Sequence, residues 1–319
     1  HRTSRRQRQM CIRDRRVSMH SDANNAKLIL KTNGKSFYWA GKFLPSAYIN
    51  RAAELYRFCR TLDDIADNGQ KSSLEYLNNF RIKLLKDEDF KQTKTNTGTY
   101  PKFFNVSSKR AAIHLVDGLI RDQDTVLFQE EEDLIRYSYQ VAGTVGIMMC
   151  DALECYNENA KSFAIDLGIA MQLTNIARDV LEDAKMGRRY LPGCWVDQIS
   201  PQEIIRATED KNLKTTETIS KGIQKLLSLA EKYYYSGSQG FIFLPIKTRL
   251  AISIASQVYR QIGVQLKSKN YNWYEGREVT SKITKMRITI STLLNEILFS
   301  SKVEVNHKSE LHRLLQGFI

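Results

Sequence analysis

An all-α fold in one domain is what this sequence predicts, and three observations carry that expectation. Apolar side chains recur at three- and four-residue steps along most of the chain, the rhythm of a helix that buries one face. Stretches that alternate with period two are few and short. Only five prolines interrupt the 319 residues, and neither of the two clear breaks separates halves of different composition.

Residues 50–67 show the pattern most plainly, with Ala52, Leu55, Tyr56, Cys59, Leu62 and Ala66 on one helical face. A loop is expected over 86–102, "KDEDFKQTKTNTGTYPK", which is rich in Thr, Lys and Asn and carries Gly98 and Pro101. Helical rhythm resumes over 109–121, 131–156 and 161–184. A second break spans 187–201, where Gly187, Gly193 and two prolines close one helix before the next. Three more helices are expected over 218–236, 246–266 and 282–300.

Charge is spread unevenly. The net charge is +13, and residues 1–20 supply +6 of it through seven arginines set against one aspartate. This leader has no apolar core of the secretory kind, so it reads as a non-native or disordered basic arm, with the domain running over 21–319. The remaining excess is mixed with acids, as on a solvated surface, and equally suits diphosphates or an acidic membrane. No zinc-finger or RNP-like string points to nucleic acid, which is not expected as a partner. The five cysteines, Cys11, Cys59, Cys150, Cys155 and Cys194, lack paired spacing and read as reduced thiols. No run approaches the length of a membrane span.

Two acidic stretches carry the chemistry. In "YRFCRTLDDIADN", Asp63 and Asp67 stand four residues apart, so a helix places them on one face with Cβ atoms about 6 Å apart. In "NIARDVLEDAKMGRRYLP", Asn175, Asp179 and Asp183 repeat that step. Either ladder alone is also the pattern of a solvated helix face. Both together, each set among apolar neighbours, point instead to acids that face a cavity. Carboxylates and amide oxygens are hard ligands suited to Mg²⁺, with Mn²⁺ as a substitute, completed by substrate phosphates. With no His/Cys cluster at ligand spacing, zinc is not expected. His114 stands alone and reads as structural. Arg60, Arg178, Arg188 and Arg189 flank the ladders, and a guanidinium grips phosphate oxygens in pairs. Salt bridges to Glu182 and Asp183, or capping of a helix end, would account for some of them equally well.

At this point the strings resemble a known family. "SFYWAGKFLP" (36–45), "YRFCRTLDDIAD" (56–67), "YSYQVAGTVGIMM" (137–149), "LGIAMQLTNIARDVLEDAKMGRRYLP" (167–192) and "VYRQIG" (258–263) are similar to motifs of squalene/phytoene synthases, over about 35–282. The fourth string looks most like the bacterial phytoene-forming members. The resemblance implies a class I isoprenoid synthase fold, with antiparallel helices around a central cavity and the two ladders facing across its mouth. It implies a prenyltransferase that joins two geranylgeranyl diphosphates head to head to give phytoene, without NADPH. It places Asp63, Asp67, Asn175, Asp179 and Asp183 at the metal. It implies that Arg60 and Arg178 act catalytically beside Asp63, Asp67, Asp179 and Asp183, and that both also stand near the substrates. Ser36, Phe37, Tyr56, Tyr137, Gln172, Arg188, Arg189, Tyr259 and Arg277 fall at substrate positions. "VAGTVG", with Gly143 and Gly146, would line the tunnel. Small residues at a helix crossing would need no ligand.

Rival expectations fit some of the same residues. A squalene or dehydrosqualene synthase shares every metal position but takes farnesyl chains. A chain-elongating prenyltransferase or terpene cyclase also uses D-D-x-x-D, although "GRRYLP" and "VAGTVG" argue against it. A non-catalytic helical scaffold of the same fold would be favoured by lost ladder residues, and none is lost. The expected location is the cytoplasm, with peripheral contact to the membrane that takes up so apolar a product. The sequence leaves the oligomeric state open.

Overall fold

Helix starts in this chain are written in capping residues. Asn105 accepts a hydrogen bond from the Ser108 amide (3.0 Å), and Ser200 and Glu203 form a reciprocal capping box ahead of Pro201. The computed structural model describes residues 18–67, 71–86, 100–210, 212–298 and 305–319. Among these, helices α1 (Ser18–Asn33), α2 (Lys35–Gly41), α3 (Ser46–Asp67), α4 (Lys71–Lys86) and α5 (Val106–Arg121) come first. Then follow α6 (Glu131–Ser138), α7 (Thr144–Ala152), α8 (Asn159–Arg178), α9 (Val180–Lys185), α10 (Pro201–Glu209), α11 (Leu213–Gln239), α12 (Ile246–Ser268) and α13 (Lys282–Leu298). The described residues form no strand. An isolated bridge joins Leu127 to Arg189.

The basic leader lies outside the described residues, apart from Ser18–His20, which open α1. Most of the 86–102 loop lies outside them as well. Helices α1, α2, α4 and α10 were not singled out by periodicity. Two expected helices are not uniform. The stretch expected over 131–156 is α6 and α7 joined by a π-helical turn, Tyr139–Gly143. The stretch expected over 161–184 bends at Asp179, which ends α8 and begins α9 with φ −106° and ψ 15°.

Helix α8 is the axis of the molecule and packs on α7, α11 and α12. Glycines set its approach to α7. A Cβ added at Gly146 would overlap the Ala164 carbonyl, and one at Gly168 the Ala142 carbonyl. Main chain therefore meets main chain, as the small residues of "VAGTVG" allow. One apolar cluster gathers around α8 and α11, with Leu134, Leu173, Ile223 and Leu226 inside it. A second gathers around α3, α4, α5 and α7, with Leu55, Leu77, Val116 and Met148 fully buried. Residues of both clusters, Ile176 and Leu119 among them, face one cavity of about 860 Å³.

Candidate active site

The acids reach this cavity from two directions. Helix α3 runs unbroken through Asp63 and Asp67, and its end is tied to α5 by the Gln123 side-chain amide, which donates to the Ala66 carbonyl (2.9 Å). The second ladder crosses the bend. The Asp179 amide still donates to the Asn175 carbonyl (2.9 Å) and the Asp183 amide to the Asp179 carbonyl (2.8 Å). The four-residue spacing thus survives while the axis turns. Asn175, Asp179 and Asp183 all line the cavity, together with Asp63 and Asp67.

Arginines knit the two sides together. Arg60 donates to Asp63 (2.9 Å) and pairs with Asp64 (2.5 Å). Arg178 donates through Nε to Asp179 Oδ1 (2.8 Å), and Arg277 reaches the same carboxylate across the chain (2.9 and 3.2 Å). Arg188 follows the second ladder and reaches across to the first, donating to Asp67 Oδ1 (3.4 Å) and to the Asp122 carbonyl (3.3 Å). Its place follows from local geometry. Gly187 takes φ +76°, and the Arg188 amide donates back to the Asp183 carbonyl (2.9 Å), a Schellman stop to α9.

Arg189 is a correction. It was expected at the substrate, but it does not line the cavity. It is buried, and its guanidinium donates to the Leu191 carbonyl (3.2 Å) and to Gln198 (3.5 Å). The cause is the extended backbone here, where the Arg189 amide pairs with the Val126 carbonyl (2.7 Å). Successive side chains of an extended segment point to opposite sides, so only Arg188 reaches the acids.

The other expected substrate residues line the same cavity. Ser36 and Phe37 come from α2, Tyr56 from α3, Gln172 from α8 and Tyr259 from α12. Tyr259 stacks on Phe37 (5.0 Å between centroids) and donates to Asn175 Oδ1 (2.8 Å), while Asn175 Nδ2 donates to Gln172 Oε1 (3.2 Å). Tyr137 lines it too, and its hydroxyl donates to Asp122 Oδ2 (2.7 Å). His114 stays structural, with Nδ1 3.0 Å from the Tyr139 hydroxyl.

Asp122 is the residue that sequence reasoning missed. It caps the C-terminus of α5, where the helix dipole disfavours a carboxylate, and that misfit was its one sequence signal. It lines the cavity, accepts from Tyr137 and Tyr190, and its Oδ1 is buried without a partner among the described residues. Burial pushes its carboxyl up to about 6, against the pull of the two tyrosines and Arg188. Asp63 is pushed up to about 6, by burial and then by Asp67. Asp183 is pushed up to about 8, by burial and then by Asp179. Burial leads in all three, and the charge count adds to it: among the described residues, Asp63, Asp64, Asp67, Asp122, Asp179 and Asp183 meet only Arg60, Arg178, Arg188 and Arg277 here. A donor set of carboxylate and amide oxygens with surplus negative charge fits a hard divalent cation.

Away from the mouth, one more group of potential ligand atoms comes together among the described residues. Asp166 on α8 meets His307 and His312 of the C-terminal segment, with the three ligand atoms within 4.8 Å of one another. The two histidines are five residues apart, and the aspartate lies far from both in sequence. Of the thiols, Cys59, Cys150, Cys155 and Cys194 are free.

Comparison with known proteins decides the family. The squalene/phytoene synthase family profile matches residues 30–287. This chain is a member of the squalene/phytoene synthase family. A 15-cis-phytoene synthase of a Paracoccus species is 32% identical over 263 residues, 79% of this chain and 84% of the relative. A phytoene synthase of Pseudescherichia vulneris is 30% identical over 285 residues, 84% of this chain and 90% of the relative. Among solved structures, a dehydrosqualene synthase in complex with ligand superposes with TM-score 0.71 at 24% identity, covering 88% of this chain and 98% of that one. A squalene synthase from Alicyclobacillus acidocaldarius superposes with TM-score 0.66 at 19% identity, covering 80% and 97%. These likenesses establish the fold as that of the isoprenoid synthases, as the motifs implied.

Proposed function

We propose that this family member is a phytoene synthase, a prenyltransferase that condenses two geranylgeranyl diphosphates head to head. The observation that carries the reading is an acidic mouth, bridged by Arg188, over an apolar cavity of about 860 Å³. The phytoene synthases among its relatives support the product. Asp63, Asp67, Asn175, Asp179 and Asp183 would hold Mg²⁺, which when bound supplies Lewis-acid stabilisation of the departing diphosphate. Arg60, Arg178, Arg188 and Arg277 bind and orient the diphosphates, exchanging their carboxylate partners for phosphate oxygens. The first substrate loses diphosphate, and the second substrate's double bond attacks the allylic cation. Proton loss gives a cyclopropylcarbinyl diphosphate, which ionises, rearranges and loses a second proton. No reductant enters that balance. Walls such as Leu119, Val141 and Ile176 exclude the water that would quench a cation. Incubating purified protein with Mg²⁺ and either geranylgeranyl or farnesyl diphosphate, with and without NADPH, tests the reading. Phytoene from the longer substrate, indifferent to NADPH, is expected. Squalene formed from farnesyl diphosphate and NADPH, or no product from either, would overturn it.

The same proposal places the protein in the cytoplasm, attached peripherally to a membrane. No helix among the described residues is long and apolar enough to cross one. Helix α13, however, is built inside out. Lys285, Thr289 and Thr292 face inward at 6% exposure each, while Ile283, Met286, Ile290 and Leu294 are exposed by 53–69%. Val279, just ahead of it, both lines the cavity and is exposed. Lys282 and Arg287 flank the stripe with the charge that anionic headgroups attract. Sedimentation with anionic vesicles should carry the protein down, and Ile283→Asp with Ile290→Asp should leave it in the supernatant. Unchanged binding by the double variant would remove α13 from the membrane face.

A further inference from the structure

The Asp166 cluster lies outside the diphosphate site and is used by nothing described so far. Asp166 is fully buried on α8, and a buried carboxylate must be compensated. Ser236 of α11 donates to its Oδ2 (2.5 Å). His307 places Nε2 2.8 Å from the same oxygen, and His312 places Nε2 2.7 Å from Oδ1. Both imidazoles are largely buried, at 14% and 10% exposure, with ring centroids 4.4 Å apart. Two rings turning the same nitrogen onto one carboxylate from a short segment is a costly way to satisfy a single acid. It is an economical way to build a coordination shell.

We propose that Asp166, His307 and His312 form a structural site for a zinc-type divalent ion, which pins the C-terminal segment across α8 and α11. Three features select that class of metal. His307 and His312 keep the H-x₃₋₅-H spacing of zinc ligands, and two imidazoles with one carboxylate are a recurrent zinc donor set. Tetrahedral bonds of about 2.0–2.1 Å require ligand atoms roughly 3.3–3.5 Å apart, a small opening from the present contacts. Ser236 Oγ already holds Asp166 Oδ2 (2.5 Å), and a water would complete the tetrahedron as fourth ligand. Magnesium, which prefers oxygen donors in an octahedron, would not compete here. On binding the ion, each ring would carry its one proton on Nδ1 and coordinate as a neutral imidazole through Nε2, with any second proton released to solvent. Its anchor is well placed for such a role. Beyond the histidines the segment is already threaded into the fold, with Tyr233 donating to the Leu311 carbonyl (2.9 Å), Arg136 to the Leu314 carbonyl (3.2 Å), and Leu315 buried in the main cluster.

The test uses the full chain, purified without a polyhistidine tag and held in excess Mg²⁺ so that the acidic mouth is occupied. Zinc content after limited Zn²⁺ addition should be about one equivalent per chain. Co²⁺ should give the intense visible absorption of a tetrahedral site. Both signals should vanish in His307→Asn and His312→Asn and persist in Asp179→Asn. A zinc-selective chelator at constant Mg²⁺ should lower the melting temperature of the wild type and leave that of the histidine variants unmoved. Absence of zinc uptake, or uptake lost only in Asp179→Asn, would overturn the proposal. So would histidine variants that melt early beside a wild type indifferent to zinc, since the trio would then be a hydrogen-bonded latch. None of these readouts depends on the enzymatic product.

Discussion

The two acidic ladders share a spacing but not a setting. The first sits on one continuous helix, with the Asp63 and Asp67 side chains 46% and 47% exposed overall, although the cavity still desolvates the Asp63 carboxyl. The second straddles the bend between α8 and α9, where the Asp179 side chain is only 18% exposed and is held by both Arg178 and Arg277. Asp183, one turn on, has no arginine clamp among the described residues and is pushed up to about 8, against about 6 for Asp63. The lesson is that sequence spacing sets which carboxylates converge, while burial and arginine placement decide how badly each needs a cation. One ladder is open to arriving substrate. The other is wired into the protein.

The largest break in that comparison should come from charge removal at the clamped position. Asp179→Asn should cut product formation at least a hundredfold, about 2.7 kcal/mol of transition-state stabilisation, because Arg178 and Arg277 lose their common partner along with the metal. Circular dichroism should stay native. Asp63→Asn should fall in the same direction, and EDTA should mimic both in the wild type. Turnover that persists in EDTA would end the metal–diphosphate reading.

The paired arginines sharpen the contrast next. Arg188→Ala should lose about tenfold in kcat/KM, roughly 1.4 kcal/mol, with little change in melting temperature, since its contacts are made across the mouth. Arg189→Ala should do the opposite. It leaves the Leu191 carbonyl and Gln198 without their donor, a cost of about 1–3 kcal/mol visible in denaturant unfolding, while steady-state kinetics stay near wild type. Equal kinetic losses in both variants would contradict the alternation of the extended segment.

The smallest effect is a pH slope. Asp183 titrates near 4 in the unfolded chain and is pushed up to about 8 when folded. Between those values the folded state holds a proton that the unfolded state has released, so stability falls as pH rises through that window. In Mg²⁺-free buffer, the melting temperature of Asp183→Asn should therefore decline less from pH 5 to pH 8 than that of the wild type. Parallel slopes would place the surplus charge elsewhere, with Asp63 and Asp122 the next carboxylates to replace.

Much of this was readable in advance where periodicity and spacing act locally. The helical rhythm of 50–67 and 246–266 and the i, i+4 acids needed no tertiary knowledge. The bend at Asp179 was invisible because its backbone hydrogen bonds keep the helical pattern on either side. The π turn at Tyr139–Gly143 left no periodic trace, because it adds one residue to a pattern read over many. Asp122 and Asp166 each looked like single acids. Their partners come from Tyr137, Tyr190, His307 and His312, separations at which no sequence pattern operates. Arg188 and Arg189 differ only in which side of the chain they leave from, and that follows from a pairing with Val126 that the string "GRRYLP" does not encode.

The inverted face of α13 has a practical corollary at the bench. In lipid-free buffer, Ile283, Met286, Ile290 and Leu294 form an adhesive strip with nothing to adhere to. Concentrated protein should cluster reversibly through it, and mild detergent should restore single particles. Handling losses, light scattering and the choice of purification additive would then all trace back to one helix turned outward.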